Sequence, residues 1–353
     1  WSRLEKEEGV WNNDEWDHYK SVIDELLKLG IEPLVTLNHF TVPLWFADKG
    51  SWLYPGSIDL FTRFAIKCIE ELGDKIRYWI TINEPNILAT LSYIYGQWPP
   101  CKKDLSSALI VLKHMTKSHV SAYKNMHELA KKSGNIRSPM IGIAKAVTAF
   151  HPCSRVSLGD RLSVSFRDHF HNHSFIRSVI KGRVLIPGLP KEDLMSKDTL
   201  DFIGLNYYFR QFIKNKSPLF KRSVGEVCSP EHHPNAGPVT DMGWEIYPEG
   251  LYEILKDMNS YHKPMIITEN GLATKDDALR CTYIKGHLSQ VLKAIQHGFP
   301  VKGYLHWSLL DNFEWAEGYS KRFGLIEVDY LSQKRTIHPS AEYYSSVIRS
   351  KRI

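Results

Sequence analysis

The sequence of 353 residues contains no long apolar segment. Its most apolar run, residues 140–150, carries Lys145 in its middle. A helix that crosses a membrane needs about 20 consecutive apolar residues, so an integral membrane protein is not expected. The chain also lacks low-complexity tracts and an interior linker rich in Pro or Gly, and we therefore expect one domain over residues 1–353.

Cysteine is scarce, and its spacing is informative. The five residues are odd in number, stand far apart and never form a Cys-x-x-Cys pair. This pattern argues against a disulfide scaffold and against a zinc site, and it is typical of a reducing compartment. We expect a cytoplasmic location, although the chain begins at Trp1 rather than Met, so a leader cannot be read from it. The cysteines are Cys68, Cys101, Cys153, Cys228 and Cys281.

No stretch of the chain is dominated by charge of one sign. Lys and Arg number 45 and Asp and Glu number 39, which gives a net charge of +6, but basic residues are scattered among acidic ones. Proteins that bind nucleic acid instead concentrate their basic residues in a patch or stripe. We therefore interpret the net charge as serving solubility and expect neither nucleic acid nor a membrane to be bound; a homo-oligomer is compatible with the sequence.

Short β-branched runs alternate with stretches of helical periodicity, which predicts repeated βα units around a parallel sheet. The glycine fingerprint of a dinucleotide-binding open sheet is absent after the first strand, so a (β/α)8 barrel is the favoured closure. A loop rich in Pro, His and Ser is predicted over residues 216–243. The predicted helices are 14–29, 58–72, 105–132, 161–180, 248–261 and 277–297, and the predicted strands are 31–40, 76–84, 140–146, 201–208, 264–270 and 301–310.

Two of the predicted strands carry a glutamate at or beside their carboxyl end. One ends within the sequence Thr-Ile-Asn-Glu-Pro, which contains Glu84, and the other within Ile-Thr-Glu-Asn-Gly, which contains Glu269. A single Glu at a strand end is more often an ordinary surface residue, but in a barrel the carboxyl ends of the strands carry the active site. Two carboxyl groups at one rim suit hydrolysis of a glycosidic bond, with one group protonating the leaving group and the other attacking the sugar.

Together with the run Trp-Ser-Leu-Leu-Asp-Asn-Phe-Glu-Trp at residues 307–315, these two motifs make the chain resemble glycoside hydrolase family 1. The resemblance extends over essentially the whole sequence. It implies a (β/α)8 barrel and a retaining β-glycosidase, which acts on terminal non-reducing β-D-glucosyl, galactosyl or fucosyl residues through a glycosyl-enzyme intermediate. Retention requires carboxyl groups about 5 to 5.5 Å apart.

The resemblance also implies roles for single residues. Glu84 matches the general acid/base and Glu269 the nucleophile of the family. Asn83 matches the residue that binds the 2-hydroxyl, and His39 resembles the histidine that binds the 3-hydroxyl. Tyr208 resembles the tyrosine that donates a hydrogen bond to the nucleophile and helps to keep it ionised.

A further set of residues matches the family's sugar-binding positions. Trp307 resembles the ring beneath the bound sugar, Glu314 the acceptor for the 4- and 6-hydroxyls, and Trp315 a contact of the 3-hydroxyl. A carboxylate at this position would repel a phosphate group, so a neutral sugar is implied. Trp244 resembles a residue near the entrance for the aglycone, and Phe323 one near the outer edge of the sugar, although both could equally be packing residues.

Three histidines, His169, His171 and His173, crowd one predicted helix, and the first and third have the spacing of metal ligands. No clear third ligand accompanies them, so we expect neither a metal nor a cofactor.

The sequence departs from the family pattern at its start. Residues 1–4 match the segment that follows the second barrel strand, so strands 1 and 2 are expected to be absent from this chain, together with the Gln and the Arg that they carry. Ala146 also replaces a frequent Asn. An alternative interpretation is therefore a catalytically weak or inactive sugar-binding pseudoenzyme, although the chain retains both Glu84 and Glu269.

Overall fold

A computed structural model describes residues 1–216 and 224–353 of the protein. These residues form two compact units, one made of Trp1–Lys145 with His173–Gly204 and the other of Ala146–Asn172 with Leu205–Ile353. Each unit is thus assembled from separate stretches of the chain. The single domain expected over residues 1–353 stays a prediction.

Helices and strands alternate along the chain. The strands are β1 Leu34–Asn38, β2 Tyr78–Asn83, β3 Met140–Pro152, β4 Phe202–Lys214, β5 Glu226–Cys228, β6 Met265–Asn270, β7 Val301–His306, β8 Ile326–Val328 and β9 Arg335–Ile337. The helices are α1 Asn13–Lys28, α2 Leu44–Asp48, α3 Ser57–Leu72, α4 Pro85–Ala89, α5 Leu105–Lys132, α6 Leu158–Asp168, α7 Ser174–Lys181, α8 Pro248–Met258, α9 Asp277–Gln296 and α10 Pro339–Ser350.

In the first unit the strand order is β1-β2-β3-β4. Only the first residues of β3 and β4, up to Lys145 and Gly204, belong to this unit. Pairing is parallel from β1 to β2, where Leu34 lies opposite Tyr78, and from β2 to β3, where Tyr78 lies opposite Met140. Because the strands run in one direction, their carboxyl ends share one edge. His39 follows β1 and Glu84 follows β2, so both stand at that edge.

In the second unit the order is β4-β6-β7, and β5 pairs antiparallel with the end of β4. The β6–β7 pair is parallel, with Met265 opposite Val301 and Asn270 opposite His306. Glu269 and Trp307 therefore stand at the same end of neighbouring strands. The short strands β8 and β9 form a separate antiparallel pair.

Helix limits follow from local capping. The side chain of Asn12 accepts hydrogen bonds from the amides of Asp14 and Glu15 at the start of α1, and Gly30 beyond its end takes a φ of +71°. Asp104 caps α5 in the same way. The predicted helix 161–180 is instead divided, because residues 169–173 form a wider π-helical turn between α6 and α7.

The interior of the first unit is largely apolar. Trp16, Trp52 and Trp79 are almost completely buried, so these tryptophans pack the core rather than offer rings to a ligand. The loop predicted over residues 216–243 contains β5, and its residues 217–223 lie outside the described part of the chain. Among the described residues, no helix has both the length and the apolar content needed to cross a membrane.

Candidate active site

Glu84 lies in the turn between β2 and α4. Its φ of +46° is in the left-handed region, and its amide donates to the carbonyl of Ala144 on β3 at 2.7 Å. The side chain is only 9% exposed. Pro85 then begins α4, where a missing N–H has no cost. The Asn-Glu-Pro sequence thus fixes a carboxyl group, largely shielded from water, at the carboxyl end of a buried strand.

Asn83 and His39 form a polar pair in the same unit. The side-chain nitrogen of Asn83 lies 3.1 Å from Nε2 of His39. Burial lowers the pKa of His39 to about 4, so the imidazole is neutral near pH 7. Because the amide nitrogen of Asn83 can only donate, Nε2 accepts this bond and the imidazole proton resides on Nδ1. His39 is therefore a neutral hydrogen-bonding group, and its contact with Asn83 orients both side chains.

Lys145 is a neighbour of Glu84 to which sequence analysis assigned no role at the site. It is completely buried, and burial holds its pKa well below the usual range although the charge of Glu84 acts in the opposite direction. The signal for this role was a lysine inside an otherwise apolar strand. The sequence used it only to exclude a membrane span over residues 140–150, because the neighbourhood of Lys145 and Glu84 depends on the pairing of two strands.

Glu269 is the central carboxyl group of the second unit. It lies on β6, and its Oε2 accepts a hydrogen bond from the hydroxyl of Tyr208 on β4 at 2.7 Å. A hydrogen bond donated to a carboxylate favours the ionised form. The pairing of Tyr208 with Glu269, two residues 61 positions apart, is the contact that the family resemblance implied.

The residues on either side of Glu269 hold β6 against β4 through hydrogen bonds. The hydroxyl of Thr268 donates to Oδ1 of Asn206 at 2.6 Å, and the side chain of Asn270 donates to the carbonyl of Tyr207 at 2.6 Å. Beyond them, a Cβ at Gly271 would meet the carbonyl oxygen of Trp307 at 1.8 Å, so only glycine fits there. The Thr-Glu-Asn-Gly sequence therefore holds Glu269 on a rigid element.

Glu314 lies in the segment that follows β7. Burial raises its pKa to about 7, although a hydrogen bond with Trp307 opposes this shift. Its Oε2 is buried and has no hydrogen-bond partner within the described parts of the chain. A buried acceptor without a donor is costly, and hydroxyl groups of a bound ligand can supply the missing donor. Trp315, the next residue, is partly buried and adopts a φ of +44°.

Trp244, Phe323 and Tyr208 form an aromatic cluster. The ring centroid of Trp244 lies 5.3 Å from that of Tyr208 and 6.3 Å from that of Phe323. Phe323 is 2% exposed, so in this structure it packs against Tyr208 and Trp244. Trp244 is partly exposed and also contacts Phe209. The substrate-binding roles predicted for Trp244 and Phe323 stay predictions.

The structure thus brings together Asn83, His39 and Glu84 in one unit, and Tyr208 and Glu269 in the other. Within the second unit, Glu314 is joined to Trp307, and Trp244 to Phe323. These contacts are compatible with the roles predicted from the sequence, and the roles themselves remain proposals.

Comparison with known proteins identifies the family. The profile of glycosyl hydrolase family 1 matches residues 1–353. β-Glucosidase A of Thermotoga maritima is 36% identical over 375 residues, which cover 99% of this chain and 81% of that protein. Relatives that share this much sequence over nearly the full chain share its fold. The (β/α)8-barrel class predicted from the sequence is therefore confirmed.

Solved structures agree with the sequence comparison. A β-glycosidase from Pyrococcus horikoshii matches with a TM-score of 0.91 at 36% identity, covering 100% of this chain and 79% of that one. A β-glucosidase from Thermotoga maritima in complex with deoxynojirimycin matches with a TM-score of 0.88 at 33% identity, covering 100% of this chain and 81% of that one. The chain belongs to glycosyl hydrolase family 1 and is a retaining glycosidase.

Proposed function

We propose that the protein hydrolyses terminal non-reducing β-D-glucosyl residues of small glycosides, and galactosyl or fucosyl residues as further substrates. The observation that carries the proposal is the 2.7 Å hydrogen bond from Tyr208 to Glu269 at the end of β6. It orients one carboxyl group and favours its ionised form, which is the form that attacks an anomeric carbon. The β-glucosidase names of the relatives support glucose as the sugar.

In the first step, an oxygen of Glu269 forms a bond to the anomeric carbon while the bond to the aglycone oxygen breaks. Glu84 gives its proton to that oxygen, so the aglycone leaves as a neutral alcohol. In the second step, Glu84 removes a proton from water, the water oxygen attacks the anomeric carbon, and the ester to Glu269 breaks. Two inversions leave the product with the β configuration of the substrate.

Asn83 and His39 bind sugar hydroxyls in this proposal. The neutral imidazole of His39 and the amide of Asn83 offer directional hydrogen bonds to the 3- and 2-hydroxyls without introducing a charge. In glycosidases, hydrogen bonds to the 2-hydroxyl that strengthen in the transition state lower the activation free energy by several kcal/mol. These two residues therefore act on rate as well as on affinity.

Glu314, Trp307 and Trp315 determine which sugar is accepted. The buried Oε2 of Glu314 accepts from the 4- and 6-hydroxyls, and the indole rings of Trp307 and Trp315 lie against the sugar. An acidic group at this place disfavours a 6-phosphorylated sugar because like charges repel at short range. We therefore place the substrate among neutral glycosides.

An inactive sugar-binding protein, the alternative raised by the sequence, is not favoured. Relatives that match nearly the whole chain at 36% identity are enzymes, and both carboxyl groups of the reaction are present at strand ends. The remaining expectations are finer. We propose a cytoplasmic location on the basis of cysteine usage, and a small-molecule β-glycoside or oligosaccharide as the substrate. We also propose that neither nucleic acid nor a membrane is bound, and a homo-oligomer is compatible with the chain.

Trapping of the intermediate tests the mechanism. A 2-deoxy-2-fluoro-β-glucoside with a good leaving group should inactivate the protein, and peptide mass spectrometry should locate the fluoroglucosyl ester on Glu269. Proton NMR of a normal nitrophenyl β-glucoside reaction should show β-glucose as the first product. A label on another residue, or α-glucose formed first, would overturn the assignment.

The acid/base role is tested separately with Glu84→Gln. The variant should lose most activity on alkyl glucosides, which need a proton on the leaving oxygen, and much less on dinitrophenyl glucosides, whose leaving group departs as an anion. The exposed Glu249 on α8 provides the matched control, and Glu249→Gln should behave as wild type on both substrates. Equal losses on both substrates would contradict the role of Glu84.

A further inference from the structure

Two cysteines that are distant in sequence meet in the second unit. Cys153 follows β3, and its amide donates to the carbonyl of Ile213 on β4 at 2.9 Å. Cys228 ends β5 and lies opposite Phe212 in the antiparallel pair with β4. The two sulfur atoms are 3.2 Å apart. Both segments are thus fixed against one strand by backbone hydrogen bonds, and this fixes the separation of the thiols.

A histidine completes the group. Ligand atoms of Cys153, Cys228 and His233 all lie within 4.8 Å of one another. The ring of His233 is stacked on that of Phe212, with centroids 3.6 Å apart and an angle of 11° between the planes. Its Nε2 is buried, and in the described part of the chain it has no hydrogen-bond partner. A buried ring nitrogen without a partner is uncommon, and a metal ion is one way to satisfy it.

We propose that Cys153, Cys228 and His233 bind a zinc ion, a role separate from glycoside hydrolysis. Two thiolates and an imidazole are the donors that zinc prefers in proteins. Zinc–sulfur bonds of about 2.3 Å in a tetrahedron place two sulfur atoms roughly 3.8 Å apart. The observed separation of 3.2 Å is nearer to that value than to a disulfide bond of about 2.05 Å. Binding releases the two thiol protons and forms two zinc–thiolate bonds.

His232 lies close enough to serve as a fourth ligand, and the charge of nearby Arg210 is paired. Nδ1 of His232 lies 3.6 Å from Sγ of Cys228, close to the separation of about 3.5 Å between a sulfur and a nitrogen ligand of one tetrahedral zinc ion. Arg210 lies over the ring of Phe212, but its charge is paired with that of buried Glu245. A zinc ion with two thiolates adds no net charge to this environment.

The spacing explains why sequence analysis argued against a zinc site. Cys228 and His233 are five residues apart, whereas Cys153 lies 75 positions before Cys228 and is supplied by the end of a different strand. A bound zinc ion would join the end of β3 to β5 and the turn that follows it. We therefore expect it to stabilise this part of the second unit and not to take part in bond cleavage.

Titration with cobalt(II), under anaerobic conditions and on the full chain purified with a reductant, tests the site. Wild type should bind one cobalt ion, with a thiolate-to-cobalt charge-transfer band and the intense visible bands of tetrahedral coordination, and zinc should displace the cobalt. Cys153→Ser, Cys228→Ser and His233→Ala should each weaken binding at least about tenfold, by analogy with the loss of other metal-site residues. The matched control is Cys281→Ser, since Cys281 is a partly buried thiol outside the cluster.

Thermal unfolding provides a second readout that does not depend on the spectrum. Zinc should raise the melting temperature of wild type and of Cys281→Ser, and a chelator should reverse the rise, while the three cluster variants should show a clearly smaller rise at the same zinc concentration. The proposal is overturned if the cluster variants bind cobalt like wild type, if wild type binds no metal, or if mass spectrometry finds a Cys153–Cys228 disulfide in the reductant-purified protein.

Discussion

Two carboxyl groups of the second unit, Glu269 and Glu314, meet different surroundings. Glu269 lies on a strand whose neighbouring residues are hydrogen bonded, and its Oε2 accepts a bond from Tyr208. Glu314 lies after β7, and its buried Oε2 has no partner among the residues that the structure describes. The protein thus supplies a donor to the group proposed to attack the sugar, and leaves an acceptor open on the group proposed to recognise it.

This difference has a chemical reason. A nucleophile has to be ionised and held in place before the substrate arrives, and a fixed hydroxyl donor achieves both. A recognition group gains specificity when its buried acceptor is satisfied only by the correct ligand, because a ligand without the hydroxyl leaves the acceptor unpaired. Glu269 fits the first description, and Glu314 fits the second.

The largest effect is expected from removal of Glu269. Glu269→Ala should lower kcat by at least about 10⁴-fold, since no covalent intermediate can form. Azide should partly restore turnover by entering the space left by the carboxyl group, and the product should then be the α-glucosyl azide. The exposed Glu249 again serves as the control. If Glu269→Ala retained substantial activity without azide, Glu269 would not be the nucleophile.

Loss of Glu314 should be selective rather than complete. Glu314 is ionised above its pKa of about 7, and hydrogen bonds to charged groups contribute about 1.5 to 3 kcal/mol each. Above that pH, Glu314→Ala should therefore lower kcat/KM for a glucoside by about 10²-fold or more. A xyloside lacks the 6-hydroxymethyl group and should lose much less. Glu249→Ala, on an exposed residue of α8, should change neither substrate. Equal losses for glucoside and xyloside would make Glu314 a structural residue only.

Tyr208→Phe makes the surroundings of Glu269 more like those of Glu314. Without the hydroxyl donor, the pKa of the Glu269 carboxyl group should rise, so the acid limb of the kcat/KM profile should move to higher pH. The accompanying fall in kcat should be about 10-fold to 100-fold. Tyr319→Phe is the control, because Tyr319 is 55% exposed. A fall in kcat with an unchanged acid limb would show that Tyr208 acts only through packing.

The regular parts of the fold could be predicted from the sequence. The limits of α5 are those predicted, residues 105–132, because the side chain of Asp104 caps its first turn and the periodicity is helical throughout. Glu84 and Glu269 could be placed at strand ends because Pro85 and Gly271 mark the turns that follow. Local signals of this kind lie within a few residues of the feature they predict.

Other features depend on partners that are distant in sequence. β4 extends to Lys214 rather than ending at residue 208, and it includes Arg210, whose charge is balanced by buried Glu245. Lys145 in β3 is buried near Glu84, and burial holds its pKa well below the usual range. Neither contact has a local sequence signal, and the meeting of Cys153 with Cys228 has none either. The sequence therefore predicted the carboxyl groups of the site, and the family resemblance implied the contact of Tyr208 with Glu269. Neither indicated the burial of Lys145 near Glu84 or the cysteine contact.

The smallest effect concerns the pH dependence of stability. The pKa of Glu314 is about 7 in the folded protein, against an ordinary value of about 4.5. Between these values the folded state keeps a proton that the unfolded chain has released, so this group's contribution to stability is greatest below pH 4.5 and is lost as the pH rises through 7. Glu314→Gln cannot titrate and should lack this contribution.

The measurement is the free energy of unfolding in urea at several pH values, taken as the difference between wild type and Glu314→Gln. Buried histidines such as His39 change stability in the opposite direction below pH 6.5, but they are common to both proteins and cancel in the difference. The difference should fall by about 1 kcal/mol for each pH unit between pH 5 and 7. Glu342→Gln, on the exposed side of α10, should give a curve parallel to wild type. If the free energy of unfolding of Glu314→Gln instead runs parallel to that of wild type between pH 5 and 7, Glu314 is ionised over this range in the folded protein. Its surroundings would then not raise its pKa, and the contrast with Glu269 would fail.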